Sequence, residues 1–214
     1  MTGIITDNVG RTSGLIKASS GGGGGVWTKI KTQTASSSST IDFLDGTSDV
    51  VLDSSYPIYV FKFINCHPSN DQTNFQFQAN VSGGSGFNET MTTSTFQAQH
   101  SEGGSSELSY ESGMDQSQGT GFQRIAHEIG NGNDESTCGE LWLFGLSSTT
   151  FTKHFLAKSQ SYRYNDYSHS LFTAGYFNTT SAIDEIQFAY SAGTIDSGQI
   201  SLFGLTIWNL INIK

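Results

Sequence analysis

The segment "NFQFQANV" constrains the fold most. Phe75, Phe77, Ala79 and Val81 alternate with Gln76, Gln78 and Asn80. A period of two places one set on a buried face and the other in water, the signature of an antiparallel strand solvated on one side. The pattern recurs in "VWTKIKT" from Val26, "TIDFL" from Thr40, "MTTSTFQ" from Met91 and "GFQRIAH" from Gly121. It recurs again in "FTKHFLAK" from Phe151 and "EIQFAYS" from Glu185. Helical periodicity is nearly absent.

Three runs are more continuously apolar: "IYVFKFI" from Ile58, "ELWLFG" from Glu140 and "ISLFGLTIWNLI" from Ile200. They suit central strands covered on both faces for part of their length. Gly204, inside the last run, marks a bulge or a close backbone approach. Loops such as "SGGSGFN", "SEGGSSE", "GNGND" and "AGTIDSG" separate the strands. Eight to ten strands joined in this way predict an all-β, antiparallel, jelly-roll-like sandwich, a pattern shared with immunoglobulin-like and lectin-like sandwiches. The 214 residues, with 15 Phe and 35% hydrophobic content, suffice for one such core.

Ahead of these strands stands "IITDNVGRTSGLIKASSGGGGG". Poly-glycine has the greatest backbone freedom and nothing to bury, so it reads as a hinge. The segment before it is too short to fold alone, yet it carries apolar side chains that gain from burial. Residues 1–25 are therefore expected to form an N-terminal arm that docks on another surface, and residues 26–214 the sandwich. In this reading Ile4, Ile5, Leu15 and Ile16 supply apolar contacts, and Arg11 a polar or charged one.

Charge and motifs narrow the function. A formal charge of -9, with only 10 Lys and Arg, argues against a nucleic-acid surface. No stretch reaches the roughly 20 apolar residues of a membrane helix, and no secretory leader is expected. With cytoplasmic folding, Cys66 and Cys138 read as free, buried thiols rather than a disulfide. The sequons at Asn80, Asn88 and Asn178 read as turn and strand residues.

"HEIGN" from His127 lacks the second histidine of a zinc-protease helix, and "GNGNDES" lacks the ligand spacing of a calcium hand. The five histidines are dispersed, and no "GxSxG" elbow occurs. Neither a catalytic set, a metal nor a cofactor is expected. The segment with most recognition chemistry is "SQSYRYNDYSHS" from Ser159, where Tyr162, Arg163, Tyr164, Tyr167 and His169 lie close together. Amphipathic rings beside hydrogen-bonding groups suit a glycan contact or a subunit interface, and equally an ordinary tyrosine-rich strand and turn.

Several stretches together carry a family resemblance: "GIITDNVGRTSGLIKA", "YVFKFINCHPSNDQTNFQFQANVSGG", "MDQSQGTGFQ", "GELWLFGLSSTTFTKHF", "AGYFNTTSAIDEIQF" and "GTIDSGQISLFGL". Across nearly its whole length the chain resembles small virion structural proteins of marine tailed bacteriophages. The resemblance implies a non-enzymatic protein of the virion, made in the bacterial host cytoplasm. Its place would be on the particle surface, as a capsid decoration or a tail-fibre-like appendage. Implied partners are other virion proteins and further copies of itself in a homo-oligomer, with a trimer favoured, and neither nucleic acid nor membrane insertion is expected. The alternative expectation is a carbohydrate-binding module that recognises host surface glycans during adsorption. On the anchor reading, deleting residues 1–25 leaves a folded, soluble domain that no longer joins particles. Complementation of particles with the truncated protein, followed by sedimentation, checks this, and normal incorporation defeats it.

Overall fold

A computed structural model describes residues 26–206. Thirteen strands follow one another in chain order: β1 (Val26–Thr34), β2 (Ile41–Leu44), β3 (Ile58–Pro68), β4 (Thr73–Val81), β5 (Met91–Ser101), β6 (Ser106–Tyr110) and β7 (Ser117–Gly119). They continue with β8 (Gln123–Ile129), β9 (Thr137–Phe144), β10 (Lys153–Arg163), β11 (Tyr167–Phe177), β12 (Ile183–Tyr190) and β13 (Ile195–Thr206). No helix occurs among the described residues. The anchor residues Ile4, Ile5, Arg11, Leu15 and Ile16, and the glycine hinge, lie outside them.

Every strand pair among β2 to β13 is antiparallel. One wing runs β1-β13-β3-β9-β10-β11-β5, with β6 and β7 both on the outer side of β5. The other runs β8-β4-β12-β2. They join where Arg163, at the end of β10, pairs with Ile129 of β8. On the opposite side, backbone bonds Ala35 N to Gly198 O (2.9 Å) and Ile195 N to Ser38 O (2.8 Å) draw the β1–β2 connection against β13. The result is the expected all-β sandwich, nearly closed.

Aromatic rings fill the space between the wings. Phe61 of β3 meets Phe43 of β2 at 4.9 Å and Phe188 of β12 at 5.2 Å, both edge to face. Phe75 and Phe77 of β4 reach Phe63 (5.2 Å) and Phe155 (5.1 Å) of the other wing. Edge-to-face contact suits rings whose faces are negative and rims positive, and it adds to the gain from burial. All seven side chains are essentially inaccessible to solvent.

The sandwich has more strands than its sequence pattern suggested, because β6, β7 and β11 lie in stretches where no two-residue alternation is recognised. Gly204 proves to be a close approach. The register of β13 with β3 is regular through it, and a Cβ there would collide with the Tyr56 ring. The bulges of β13 lie earlier, between Ile195 and Gln199. Cys66 and Cys138 are both free, and only Cys66 is buried. Burial pushes the Cys66 thiol up to about 12.

Because Phe188 touches Phe43, Phe61, Phe75 and Phe77, Phe188→Ala is expected to cost about 3–5 kcal/mol. Phe96→Ala, on the solvent side of β5, is expected to cost under about 1 kcal/mol. Urea unfolding at unchanged slope separates the two, and equal losses would refute this assignment of the core.

Candidate functional site

The tyrosine-rich segment is the hairpin of β10 and β11. The two strands pair over their full length, from Lys153↔Phe177 to Arg163↔Tyr167. Between them Tyr164, Asn165 and Asp166 make the turn, closed by Asp166 N donating to Arg163 O at 3.1 Å, with Asp166 at φ 64°. Asp tolerates this left-handed geometry better than most side chains. Alternation along the hairpin then divides the five candidate residues between two faces.

Arg163 and His169 belong to the interior. The Arg163 guanidinium pairs with Glu128, donates to Gln99 Oε1 at 2.5 Å and lies 5.7 Å from the centre of the Tyr167 ring. His169 is fully buried, with Nε2 2.6 Å from Gln97 Oε1. An amide oxygen only accepts, so this nitrogen carries the proton. Burial, reinforced by Arg163 and His127, pushes His169 down to about 3. The His127 ring lies 5.9 Å away, its Nδ1 2.9 Å from Asn74 Oδ1, and burial lowers its pKa as well. Histidines far apart in sequence are thus adjacent in space. With His169 enclosed, any outside contact at this end falls to the tyrosines.

Tyr162 faces outward. Its hydroxyl donates to Asp166 Oδ1 at 3.1 Å and Glu102 Oε1 at 3.4 Å. The hydrogen bond to Asp166, chiefly, raises its pKa to about 12. Tyr164 and Tyr167 are half-buried at the turn, and the Tyr164 backbone N–H donates to Glu128 O at 3.3 Å.

The interior beneath this hairpin is polar. Thr93, Thr95 and Gln97 of β5, Thr173 of β11, Ser159 and Ser161 of β10, and Gln123 of β8 are all buried. All but Ser159, whose buried hydroxyl has no partner among the described residues, bond to one another or to backbone: Thr93 Oγ1 donates to Gln123 Oε1 (2.9 Å), Gln123 Nε2 to Met114 O (2.9 Å), and Ser161 Oγ to Thr137 Oγ1 (2.9 Å). Satisfied in this way, such groups are retained at little cost.

The opposite polarity prevails outside. Leu156, Phe96, Leu108 and Tyr110 are 51%, 47%, 76% and 60% exposed. Phe172 stacks on Phe96, the ring centres 4.8 Å apart and the planes 4° from parallel, with Lys158 Nζ 5.5 Å from the Phe172 ring centre. Further along, Phe203, Val60 and Trp142 stand side by side on β13, β3 and β9. Trp27 makes edge contacts with Trp142 (5.5 Å) and Phe203 (5.8 Å), spanning Val60, which is fully buried although it faces away from the core.

A line of depressions follows β10 and β11 along this outer face. It begins at His154 and Tyr176, passes an apolar hollow of about 520 Å³ around Trp142, Leu156 and Phe172, and continues between Glu140 and Lys158 to Gln160 and Ser170. It ends among Tyr162, Ser168, Glu102 and Asp166. Neighbouring depressions share lining residues, so they form one trough. Of the five hairpin candidates, only Tyr162 lines it. Trp142 is hidden in "ELWLFG", where apolar residues occupy both parities and which reads as a strand covered on both sides, and Phe172 lies in a stretch to which no strand pattern is assigned.

Among the described residues, no group of three His, Cys, Asp or Glu side chains is placed to hold a metal ion. Compared with protein families, curated proteins and solved structures, the chain has no match in any of the three.

His169 generates a pH dependence. Above the ordinary histidine value of about 6.5 it is neutral in both folded and unfolded chains. Below that the unfolded chain takes up a proton that the folded one refuses until about 3, so stability falls as pH drops through this window. From pH 7 to 5 the His169 share of the loss is about 2 kcal/mol. Urea midpoints at the two pH values check this for wild type and His169→Gln, and an equal pH dependence in both would refute it.

Proposed function

We propose that this chain is a structural protein of a bacteriophage particle, displayed on its surface as a capsid decoration or a tail-fibre-like appendage, and working by contact rather than catalysis. One observation carries the reading: the outer face of the larger wing presents aromatic and aliphatic side chains where a freely diffusing domain would carry polar ones. Exposed apolar surface of this kind marks interaction sites. Three further features support it. The sequence resembles virion structural proteins over nearly its whole length. The net charge of -9 suits a position outside the shell, away from packaged DNA. The buried hydrogen-bonding groups of the interior are largely spent on one another.

Attachment to other virion proteins falls to the N-terminal arm, through Ile4, Ile5, Leu15, Ile16 and Arg11. Association with further copies, on this reading as a trimer closed by rotational symmetry, falls to the β6 rim, where Leu108 and Tyr110 are exposed. A second reading, recognition of host surface glycans, is favoured by the trough along β10 and β11. Its amide and hydroxyl groups lie next to aromatic ones.

Antibody raised against residues 26–206 is expected to label intact purified particles in electron micrographs, with the protein abundant in their mass spectra. Particles free of the protein, or label that appears only after disruption, would overturn the surface assignment.

A further inference from the structure

The trough on the outer face of β9, β10, β11 and β5 has a composition that selects its occupant. Its central part is lined by Trp142, Leu156, Phe172 and Phe96. The part toward the hairpin tip is lined by Gln160, Ser170, Ser168 and Tyr162. These polar groups are already ordered. Ser170 Oγ donates to Gln160 Oε1 at 2.6 Å, and Gln160 Nε2 donates to Ser168 Oγ at 3.0 Å. Tyr162 is held by Asp166 and Glu102. A fixed amide flanked by hydroxyls, in line with aromatic surface, offers donors, acceptors and apolar area together, and pre-ordering lowers the entropy lost on binding.

Length and charge narrow the choice. From His154 to Tyr162 the strand direction covers about 27 Å, too long for a single small molecule and suited to several rings in a row. The charged groups along it are Glu140, Glu102 and Asp166 against Lys158. This balance is acidic, and it disfavours a polyanionic chain while accepting a neutral or amino-bearing one. Pyranose rings alternate apolar C–H faces with hydroxyl edges, matching the two kinds of lining. A helical or strand peptide would find hydrogen-bond partners at one end only. A second copy of this chain carries a net charge of -9 and would approach this acidic end against electrostatic repulsion.

We infer that this trough is a binding site for an extended neutral or amino-sugar polysaccharide strand, stacked on Trp142 and Phe172 and hydrogen-bonded by Gln160 and Ser170. The inference rests on the glycan-recognition reading above and is independent of where the protein sits on a particle. It moves the saccharide contact from the hairpin tip onto the face of the sheet.

The test is calorimetric titration of the full chain with four hexasaccharides: a β-1,4-glucan, a β-1,4-linked N-acetylglucosamine oligomer, its deacetylated cationic form, and an anionic galacturonate. At least one of the first three is expected to bind and the anionic one not to. Trp142→Ala and Phe172→Ala should each weaken binding about tenfold. Gln160→Ala should weaken it several-fold, and Phe151→Ser, exposed on the loop before β10 and away from the trough, should leave it unchanged. Melting curves establish that each variant is folded, and the exposed Gln160 keeps the test open should an aromatic variant unfold.

Three results would overturn the inference: no binding to any of the three, preference for the anionic chain, or variants that bind as wild type does. So would a wild-type oligomer that Trp142→Ala converts to monomer, which would give the face to a second copy. Incorporation of Trp142→Ala into particles, measured alongside, separates failure of this site from failure of the virion assignment.

Discussion

The fold depends on aromatic contact across the gap between its wings. A single sheet of thirteen strands would expose a full face to water, and the seam of Phe43, Phe61, Phe63, Phe75, Phe77, Phe155 and Phe188 folds it back on itself. These rings come from both wings, so the seam holds only when distant parts of the chain have paired. Phe61 and Phe188, 127 positions apart in sequence, meet at 5.2 Å. Such a core makes folding depend on long-range closure, the slow regime for β topologies.

The seam also explains the second half of the molecule. Phenylalanine is concentrated beneath β3, β4 and β12, and β5, β8 and β11 meet over threonine, glutamine and histidine instead. Here hydrogen bonding and close backbone packing replace ring contact. Gly175 shows how close the packing is, since a Cβ there would lie 2.6 Å from the Thr93 methyl group. The apolar side chains of these strands are then free to face outward, where they build the trough. A polar interior and an aromatic exterior are two consequences of one choice of strand parity.

That choice decides how much was legible in the sequence. "NFQFQANV" told the truth, because Phe75, Phe77 and Ala79 are buried. "MTTSTFQAQ" invites the same rule, yet Thr93, Thr95 and Gln97 point inward and Phe96 outward. Alternation fixes that a strand has two faces, and only its neighbours determine which is wet. The short strands β6 and β7 were illegible for a related reason. "SELSY" and "SQG" carry too little apolar pattern, and they pair because β5 offers an unfilled edge. At the candidate site, composition drew attention to the tyrosines. The trough arises from Trp142, Leu156, Phe172 and Phe96, which four separate strands bring together and no local motif announces.

The manner in which β5 is flanked has a further consequence. Its outer side is shared by two short strands, β6 against Phe96–His100 and β7 against Met91 and Thr92. Residues between them are claimed by the connecting loop, through Thr93 N to Gln116 O and Glu111 N to Thr95 O. The flank is thus a broken ladder, and an incoming chain finds no uninterrupted row of amides to extend. Runaway strand-by-strand growth is blocked on this side. Contacts made here must be read out by side chains, which single substitutions can retune without disturbing the backbone.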